Sequence, residues 1–195
     1  MTIIFATNNQ HKVDEIRAAL PGRFSVVGLK EAGIHIDIPE PHDTLEANAE
    51  EKARTIYELK EMECFSEDTG LEVRALNHAP GVNSARYAGD GRSSRNNIEK
   101  LLAELKNKED RHARFRTIIC LIRDGKTHFF EGICEGTIID EMRGDSGFGY
   151  DPVFIPDGSD KTFAEMRIEE KNRFSHRKKA MDMLVTFLNA LEVNH

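Results

Sequence analysis

The chain is poor in cysteine and has no long uninterrupted apolar segment. Its three cysteines, Cys64, Cys120 and Cys134, form no C-x-x-C pair, which argues against a disulfide framework and a cysteine zinc site. No segment approaches the ~20 apolar residues of a membrane-spanning helix. The first residues lack the basic and apolar regions of a signal peptide. We therefore expect a reduced, cytoplasmic protein that does not associate with a membrane.

An excess of positive charge is also missing, since the formal net charge is -7. Long-range attraction to polymeric nucleic acid is therefore not expected, although lysines and arginines that line one site could still bind a small anion. The sequence also lacks the P-loop G-x-x-x-x-G-K-[ST], a complete G-x-G-x-x-G, H-E-x-x-H and the G-x-S-x-G elbow. These absences exclude several common classes of nucleotide-binding protein and hydrolase.

The composition that remains is typical of a globular protein. With 195 residues, of which 39% are hydrophobic and 31% charged, the chain suits a single domain over residues 1–195, with two lobes around a cleft. Helical and strand spacings alternate along it, which predicts an α/β fold with helices around a mixed sheet. Strands are expected near 2–6, 24–28, 34–38 and 64–66, and a hairpin over 114–138 with its turn at Asp124-Gly125. Helices are expected from about 10 to Pro21-Gly22, from a cap at Asp43 to 62, from a cap near Ser93 or Ser94 to 105, and from 175 to 191.

Two polar groups suggest a phosphate site. Thr7-Asn8-Asn9 and Lys12 lie at a strand-to-helix turn, where backbone N–H groups and the helix N-terminus favour an anion. Asn48 and Lys52 are four residues apart and therefore share one face of a helix. An ordinary helix cap and a surface polar pair remain the structural alternatives.

An acidic group suggests a metal site. Glu67 and Asp68 are adjacent at the expected end of a strand, with Glu40 upstream, and such carboxylates are costly without a compensating cation. Mg²⁺ fits because one or two carboxylates and the substrate phosphates are enough to hold it. If the segment is extended, the two side chains point in opposite directions, so only one faces the cleft. A turn at the strand end is the structural alternative.

Two further groups suit a purine base. Phe148 lies between glycines in Gly147–Pro152, so its ring could stack on a base, and Asp151 could accept from a base N–H. Lys171, His176 and Arg177 place donors near the start of the last helix. Such donors suit a 6-oxo purine but leave the 6-amino group of adenine without an acceptor. A structural turn and a solvated basic helix start are the alternatives.

Together these groups would supply the phosphate, metal and base contacts of a nucleoside triphosphate site. They belong to a longer series of motifs. The series is T-x-N-x-x-K from Thr7, D-T-G-L from Asp68, P-G-V-x-S-A-R-Y from Pro80, G-F-G-Y-D-P from Gly147, F-A-E from Phe163 and S-H-R from Ser175. With these motifs in this order along nearly its whole length, the chain closely resembles the inosine/xanthosine triphosphate pyrophosphatase family. It departs from the family where Glu67 replaces the usual Asp and Ala47 a frequent Glu.

The resemblance implies an elongated α/β fold with a central mixed sheet, an active-site cleft between two lobes, and a homodimer. It implies Mg²⁺-dependent hydrolysis of ITP, dITP and XTP to the monophosphate and pyrophosphate, which removes deaminated purines from the nucleotide pool. Carried over by position, Asp68 activates the water and holds the metal together with Glu40. The substrate-binding positions carried over are Thr7, Asn8, Asn9, Gln10, His11, Lys12, Lys52, Thr69, Phe148, Gly149, Tyr150, Asp151, Lys171, His176 and Arg177.

Two other functions stay open at this point. A nucleotide-binding regulatory protein with weak or lost catalysis would bind ITP without releasing pyrophosphate, and the intact Asp68 argues against it. A phosphatase would release orthophosphate instead, so the product alone distinguishes it from a pyrophosphatase.

Overall fold

The computed structural model describes residues 2–20 and 24–192, with side chains to residue 190. The strands are β1 (Thr2–Phe5), β2 (Ser25–Gly28), β3 (Cys64–Val73), β4 (Pro80–Gly81), β5 (His112–Arg123), β6 (Lys126–Ile138) and β7 (Phe154–Pro156). The helices are α1 (Gln10–Ala19), α2 (Leu45–Lys60), α3 (Ser94–Glu104), α4 (Ile168–Lys171) and α5 (His176–Glu192). Among the described helices, none is long and apolar enough to cross a membrane.

The strands form one mixed sheet. Hydrogen bonds give the order β2-β1-β3-β5-β6-β7, and β4 pairs with β3 outside this path. The pairing of β1 with β2 and β3 is parallel, whereas β3 with β4 and β6 with β7 are antiparallel. The hairpin of β5 and β6 turns at Asp124 and Gly125, whose φ angles of 49° and 71° are those that a tight two-residue turn requires. The predicted α/β class with a mixed central sheet is confirmed.

Three predictions about individual elements are wrong: the strand over residues 34–38, the cap of α2 and the end of β3. Residues 34–38 form no strand, because the Ile34 N–H donates to the Leu29 carbonyl in a local turn and the Asn8 side chain donates to the Ile36 carbonyl. The cap of α2 is Thr44 rather than Asp43, since the Thr44 hydroxyl accepts from the backbone of Ala47. Pro21-Gly22, expected to end α1, lies outside the described residues, and α1 ends at Ala19.

The third error concerns β3, which is predicted to end at Ser66 but continues to Val73. Glu67 and Asp68 therefore lie inside a strand rather than at its end. A strand can continue through buried carboxylates when cationic side chains compensate them, and such partners come from distant parts of the chain, as described below.

The packing of the chain divides it into two compact units. The first contains residues 1–68, 117–132 and 176–195, and the second contains residues 69–116 and 133–175. The boundaries fall within β3, β5 and β6 and at the start of α5.

In the first unit, α1 and α5 cover strands with apolar side chains. Phe5 of β1 and Phe65 of β3 are fully buried and stack with their ring centroids 4.6 Å apart. Burying each ring stabilises the fold by about 1.5–3 kcal/mol. Gly132 of β6 permits an unusually close approach of α5, because a Cβ there would lie 1.9 Å from the His176 carbonyl oxygen.

The second unit is built around aromatic rings and one serine. Phe115, Phe154 and Phe163 contact one another with centroid distances of 4.7 to 6.0 Å. The Ser84 hydroxyl accepts from the backbone N–H of Leu71, and the Ser84 carbonyl accepts from the Tyr150 hydroxyl at 2.8 Å. These bonds fix the segment that carries Tyr150 to the loop after β4.

Candidate active site

Charged side chains from five parts of the sequence meet in the first unit. We call this set the ion cluster; it comprises Lys12 and Glu15 of α1, Glu40, Lys52 of α2, Glu67 and Asp68 of β3, and Arg177 of α5. Apart from Lys12 and Glu40, all of these residues are buried. Because buried charges are tolerated only with partners, each position depends on the others.

Glu67 is the centre of one half of the ion cluster. Its Oε1 lies 2.8 Å from Lys12 Nζ and 2.9 Å from Arg177 Nη2, and its Oε2 lies 2.5 Å from Arg177 Nε. Arg177 Nη1 donates to Glu15. Burial alone would raise the pKa of Glu67, but Arg177 and Lys12 outweigh burial and hold this pKa well below its usual range. Glu67 is therefore a permanent anion that orients two cations.

Asp68 has a different environment in the other half of the ion cluster. Lys52 Nζ lies 3.4 Å from Asp68 Oδ1 and also donates to Glu40. Burial raises the pKa of Asp68, Lys52 and Lys12 oppose the rise, and the neighbouring charges of Glu40 and Glu67 reinforce it, so the net shift is upward. Of the two adjacent carboxyls, Asp68 is therefore the one that binds a proton more readily.

The segment that carries Glu40 is held in place by a side chain on α2. Asn48 is buried, and its amide pairs with the backbone of His42: Oδ1 accepts from the N–H at 2.9 Å and Nδ2 donates to the carbonyl at 3.1 Å. Asn48 therefore fixes the segment from Glu40 to His42 beside Lys52, one helical turn further along α2.

The turn before α1 has the geometry of a helix cap. The Thr7 hydroxyl accepts from the Asn9 N–H at 3.2 Å, and the Asn9 side chain accepts from the Lys12 N–H at 3.4 Å. Gln10 and His11 are exposed. The N–H groups of Asn9 and Lys12 are thus bonded within the turn. The positive end of the helix dipole still lies beside the Lys12 side chain, an arrangement that favours an anion.

His176 begins α5 and is buried against β5. Its Nδ1 lies 2.6 Å from the hydroxyl oxygen of Thr117, which is itself fully buried. The next residue, Arg177, enters the ion cluster, so α5 carries both predicted donors in the first unit.

The predicted aromatic loop lies in the second unit. Asp151 Oδ2 accepts from the Phe148 N–H at 2.9 Å and from Lys171 Nζ at 2.7 Å, and both Asp151 and Lys171 are buried. The Lys171 ammonium lies 5.5 Å from the centre of the half-buried Phe148 ring. Gly147 allows this arrangement, because its φ is 76° and a Cβ there would lie 2.1 Å from Asp151 Oδ2.

The other positions predicted in this unit differ in exposure. Thr69 and Gly149 are half-buried, whereas Tyr150 is buried and uses its hydroxyl to bond Ser84. Burial raises the pKa of Tyr150. Tyr150 therefore holds the loop in position, and its hydroxyl already has an acceptor.

Among the residues that contact predicted ones, sequence reasoning missed Glu15 and Thr117. Glu15 pairs with Arg177, and Thr117 contacts His176. Glu15 is three residues after Lys12 and so shares its helix face, which is the one local signal that pointed to it. Thr117 lies in an ordinary strand and gives no such signal.

A metal ion bound beside Glu40 and Asp68 of the ion cluster would have few protein ligands. Within residues 2–20 and 24–192, no group of three or more His, Cys, Asp and Glu side chains is arranged to hold one. Glu40 and Asp68 nevertheless both contact the same ammonium group of Lys52, so their oxygens already share one cation. Two carboxylates of this kind, completed by phosphate oxygens and water, suit Mg²⁺.

Comparisons with known proteins show similarity along nearly the whole chain. The model of the Ham1 family matches residues 3–187. A dITP/XTP pyrophosphatase of Porphyromonas gingivalis is 54% identical over 187 residues, which cover 95% of this chain and 96% of that protein. The solved Ham1 protein of Staphylococcus aureus is 39% identical with a TM-score of 0.87, covering 97% of this chain and 99% of that one. The solved HAM1 protein of Coxiella burnetii is 35% identical with a TM-score of 0.88 and the same coverages.

Proposed function

This chain belongs to the Ham1 family, and on that premise we propose that it hydrolyses ITP, dITP and XTP to the nucleoside monophosphate and pyrophosphate. It is a nucleoside-triphosphate pyrophosphatase that acts on non-canonical purine nucleotides, in line with its dITP/XTP pyrophosphatase relatives. One structural observation supports the chemistry: Asp68 is a buried carboxyl with a raised pKa beside the ammonium of Lys52.

The cofactor we propose is Mg²⁺, held by Asp68 and Glu40. The donor set supports it, because both are hard carboxylate oxygens that already share one cation. When bound, Mg²⁺ would neutralise phosphate charge and polarise the phosphorus that is attacked.

Asp68 orients and deprotonates the attacking water in this proposal. A general base works best when its pKa is close to the working pH, and in the metal-free chain burial moves the pKa of Asp68 in this direction. Lys52 and Lys12 stabilise the negative charge that develops on the departing pyrophosphate. Glu67 orients Lys12 through the 2.8 Å ion pair.

The remaining site residues bind substrate. The turn from Thr7 to His11 supplies N–H donors to phosphate oxygens, and Lys52 reaches a phosphate too. Phe148 stacks on the purine beside the ammonium of Lys171, while Gly149 leaves room for the flat base. His176 and Arg177 supply donors to the 6-oxo group. Thr69, Tyr150 and Asp151 are the remaining residues of the proposed substrate site. Asp151 acts by holding Phe148 and Lys171 in place through hydrogen bonds.

Product analysis tests the proposed reaction. ITP, XTP, ATP and GTP are each incubated with the protein with and without Mg²⁺, and the products are separated by ion-exchange chromatography. We expect IMP or XMP with pyrophosphate, only when Mg²⁺ is present, and little turnover of ATP or GTP. Release of orthophosphate with IDP would refute the mechanism, and binding of ITP without turnover would refute the enzymatic function.

Asp68→Asn tests the catalytic assignment. The amide keeps the shape of the side chain but cannot take a proton, so we expect turnover of ITP to fall by about 10²–10⁴. The melting temperature should stay close to that of the wild type. Near-normal turnover would remove Asp68 from the mechanism.

We also propose that the protein is a cytoplasmic homodimer, as the family resemblance implies. Light scattering coupled to size-exclusion chromatography measures the mass directly. A mass near twice 22.1 kDa supports the dimer, and a mass of one chain contradicts it.

A further inference from the structure

The contact between Thr117 and His176 is not explained by the roles assigned so far. Thr117 Oγ1 and His176 Nδ1 are 2.6 Å apart, which is the distance of a short hydrogen bond, and both residues are buried. The bond joins the middle of β5 to the first residue of α5. It therefore constrains how the imidazole ring is oriented, and the tautomer of the ring decides which of the two groups donates.

The helix dipole at His176 favours a neutral ring. His176 is the first residue of a long helix, where the helix dipole presents its positive end. A neutral imidazole has one nitrogen that donates and one that accepts.

The position of His176 is fixed independently by β6. A Cβ at Gly132 would lie 1.9 Å from the His176 carbonyl oxygen and 2.6 Å from the Ala180 nitrogen, so only glycine permits this packing. With the backbone held there, the Thr117 hydroxyl contacts the ring at Nδ1.

We propose that Thr117 is a positioning residue: its hydroxyl donates to His176 Nδ1 and thereby holds the imidazole in the tautomer protonated at Nε2. This inference rests on the proposed function in one respect, namely that His176 contacts the purine. A protonated Nε2 donates to a 6-oxo group such as that of ITP or XTP. The other tautomer presents an acceptor at Nε2, which suits the 6-amino group of adenine. Thr117 thus contributes to the choice between the two purine classes without touching either.

The test compares wild type, Thr117→Val and Thr117→Ser as full chains. Valine keeps the shape of the side chain without the hydroxyl, whereas serine keeps the hydroxyl. The ring nitrogens of the 8 histidines are labelled with ¹⁵N, and a His176→Asn variant identifies the His176 signals in long-range proton–nitrogen correlation spectra. In parallel, kcat and KM are measured for ITP and ATP.

We expect Nε2 to be protonated in the wild type and in Thr117→Ser, and Thr117→Val to show a mixture of tautomers. The ratio of kcat/KM for ITP to that for ATP should fall roughly 2- to 10-fold in Thr117→Val, the effect of one hydrogen bond. It should be restored in Thr117→Ser.

Three results would overturn the inference. They are protonation at Nδ1 in the wild type, an unchanged tautomer and substrate ratio in Thr117→Val, and a serine variant that behaves like the valine one. The tautomer is measured without substrate, so it stands apart from the proposed function. A wild type that releases no pyrophosphate from ITP would overturn that function and leave the tautomer assignment in place.

Discussion

Replacing Glu67 by glutamine tests whether the ion cluster holds the first unit together. Three N–H donors converge on the two carboxylate oxygens of Glu67, one from Lys12 and two from Arg177. An amide has only one oxygen, so Glu67→Gln places an NH₂ group against a donor and leaves the buried Arg177 with a weaker set of partners. Breaking a buried ion pair in this way costs about 3–5 kcal/mol.

A loss of this size lowers the melting temperature of a chain of this length by roughly 6–20 °C. Differential scanning calorimetry at neutral pH measures it directly. The matched control is Glu99→Gln, because Glu99 pairs with Arg95 on an exposed helix face, with side chains 55% and 77% exposed. Such a pair contributes only about 0.3–0.5 kcal/mol. If Glu67→Gln melts as close to the wild type as the control does, the buried pairs do not stabilise the fold as described.

The difference in melting temperature between the wild type and Glu67→Gln should depend on pH. The pKa of Glu67 in the folded chain is lower than its ordinary value of 4.5, so the folded state binds this proton less readily than the unfolded state. The contribution of Glu67 is therefore fully present above about pH 4.5 and is lost as the pH falls towards the folded pKa. The difference in melting temperature between wild type and Glu67→Gln should shrink below pH 4.5. A constant difference down to pH 3 would contradict the assignment.

Two further predictions concern single contacts. In Gly147→Ala the new Cβ would lie 2.1 Å from Asp151 Oδ2 at a φ of 76°, so we expect a loss of more than about 1–2 kcal/mol and a higher KM for ITP. Gly91→Ala, with nothing within 4 Å, should melt within about 1 °C of the wild type. In Lys52→Met the charge that lowers the pKa of Asp68 is gone, so the acidic limb of kcat/KM should move to higher pH. A limb that stays in place would show that Asp68 is not the group that must lose its proton.

Local signals in the sequence were sufficient for elements whose determinants are close together in the chain. The Ser93 cap of α3, the Asp124-Gly125 turn and the capped start of α1 each depend on residues within a few positions. The length of β3 could not be predicted in this way. Its Glu67 is compensated by Arg177, which is 110 residues away in the sequence. No local pattern contains information about partners so far apart.

The predicted strand over residues 34–38 shows the opposite limit. Ile34, Ile36 and Ile38 alternate with polar residues as in a half-buried strand, but alternation describes only the side chains. The Ile34 N–H donates to a carbonyl in a local turn, and the Ile36 carbonyl accepts from the Asn8 side chain. These backbone groups are therefore hydrogen-bonded without a neighbouring strand.

The ion cluster contains three cationic side chains and four carboxylates, so when all are ionised its own charges sum to a net negative value before any nucleotide arrives. In the proposed reaction, the triphosphate would therefore compete with these carboxylates for the ammonium groups of Lys12 and Lys52. An ammonium group that binds a phosphate would be withdrawn from a carboxylate. After hydrolysis, the carboxylates would compete with pyrophosphate for the same ammonium groups, so the ion pairs that oppose substrate binding would also favour product release.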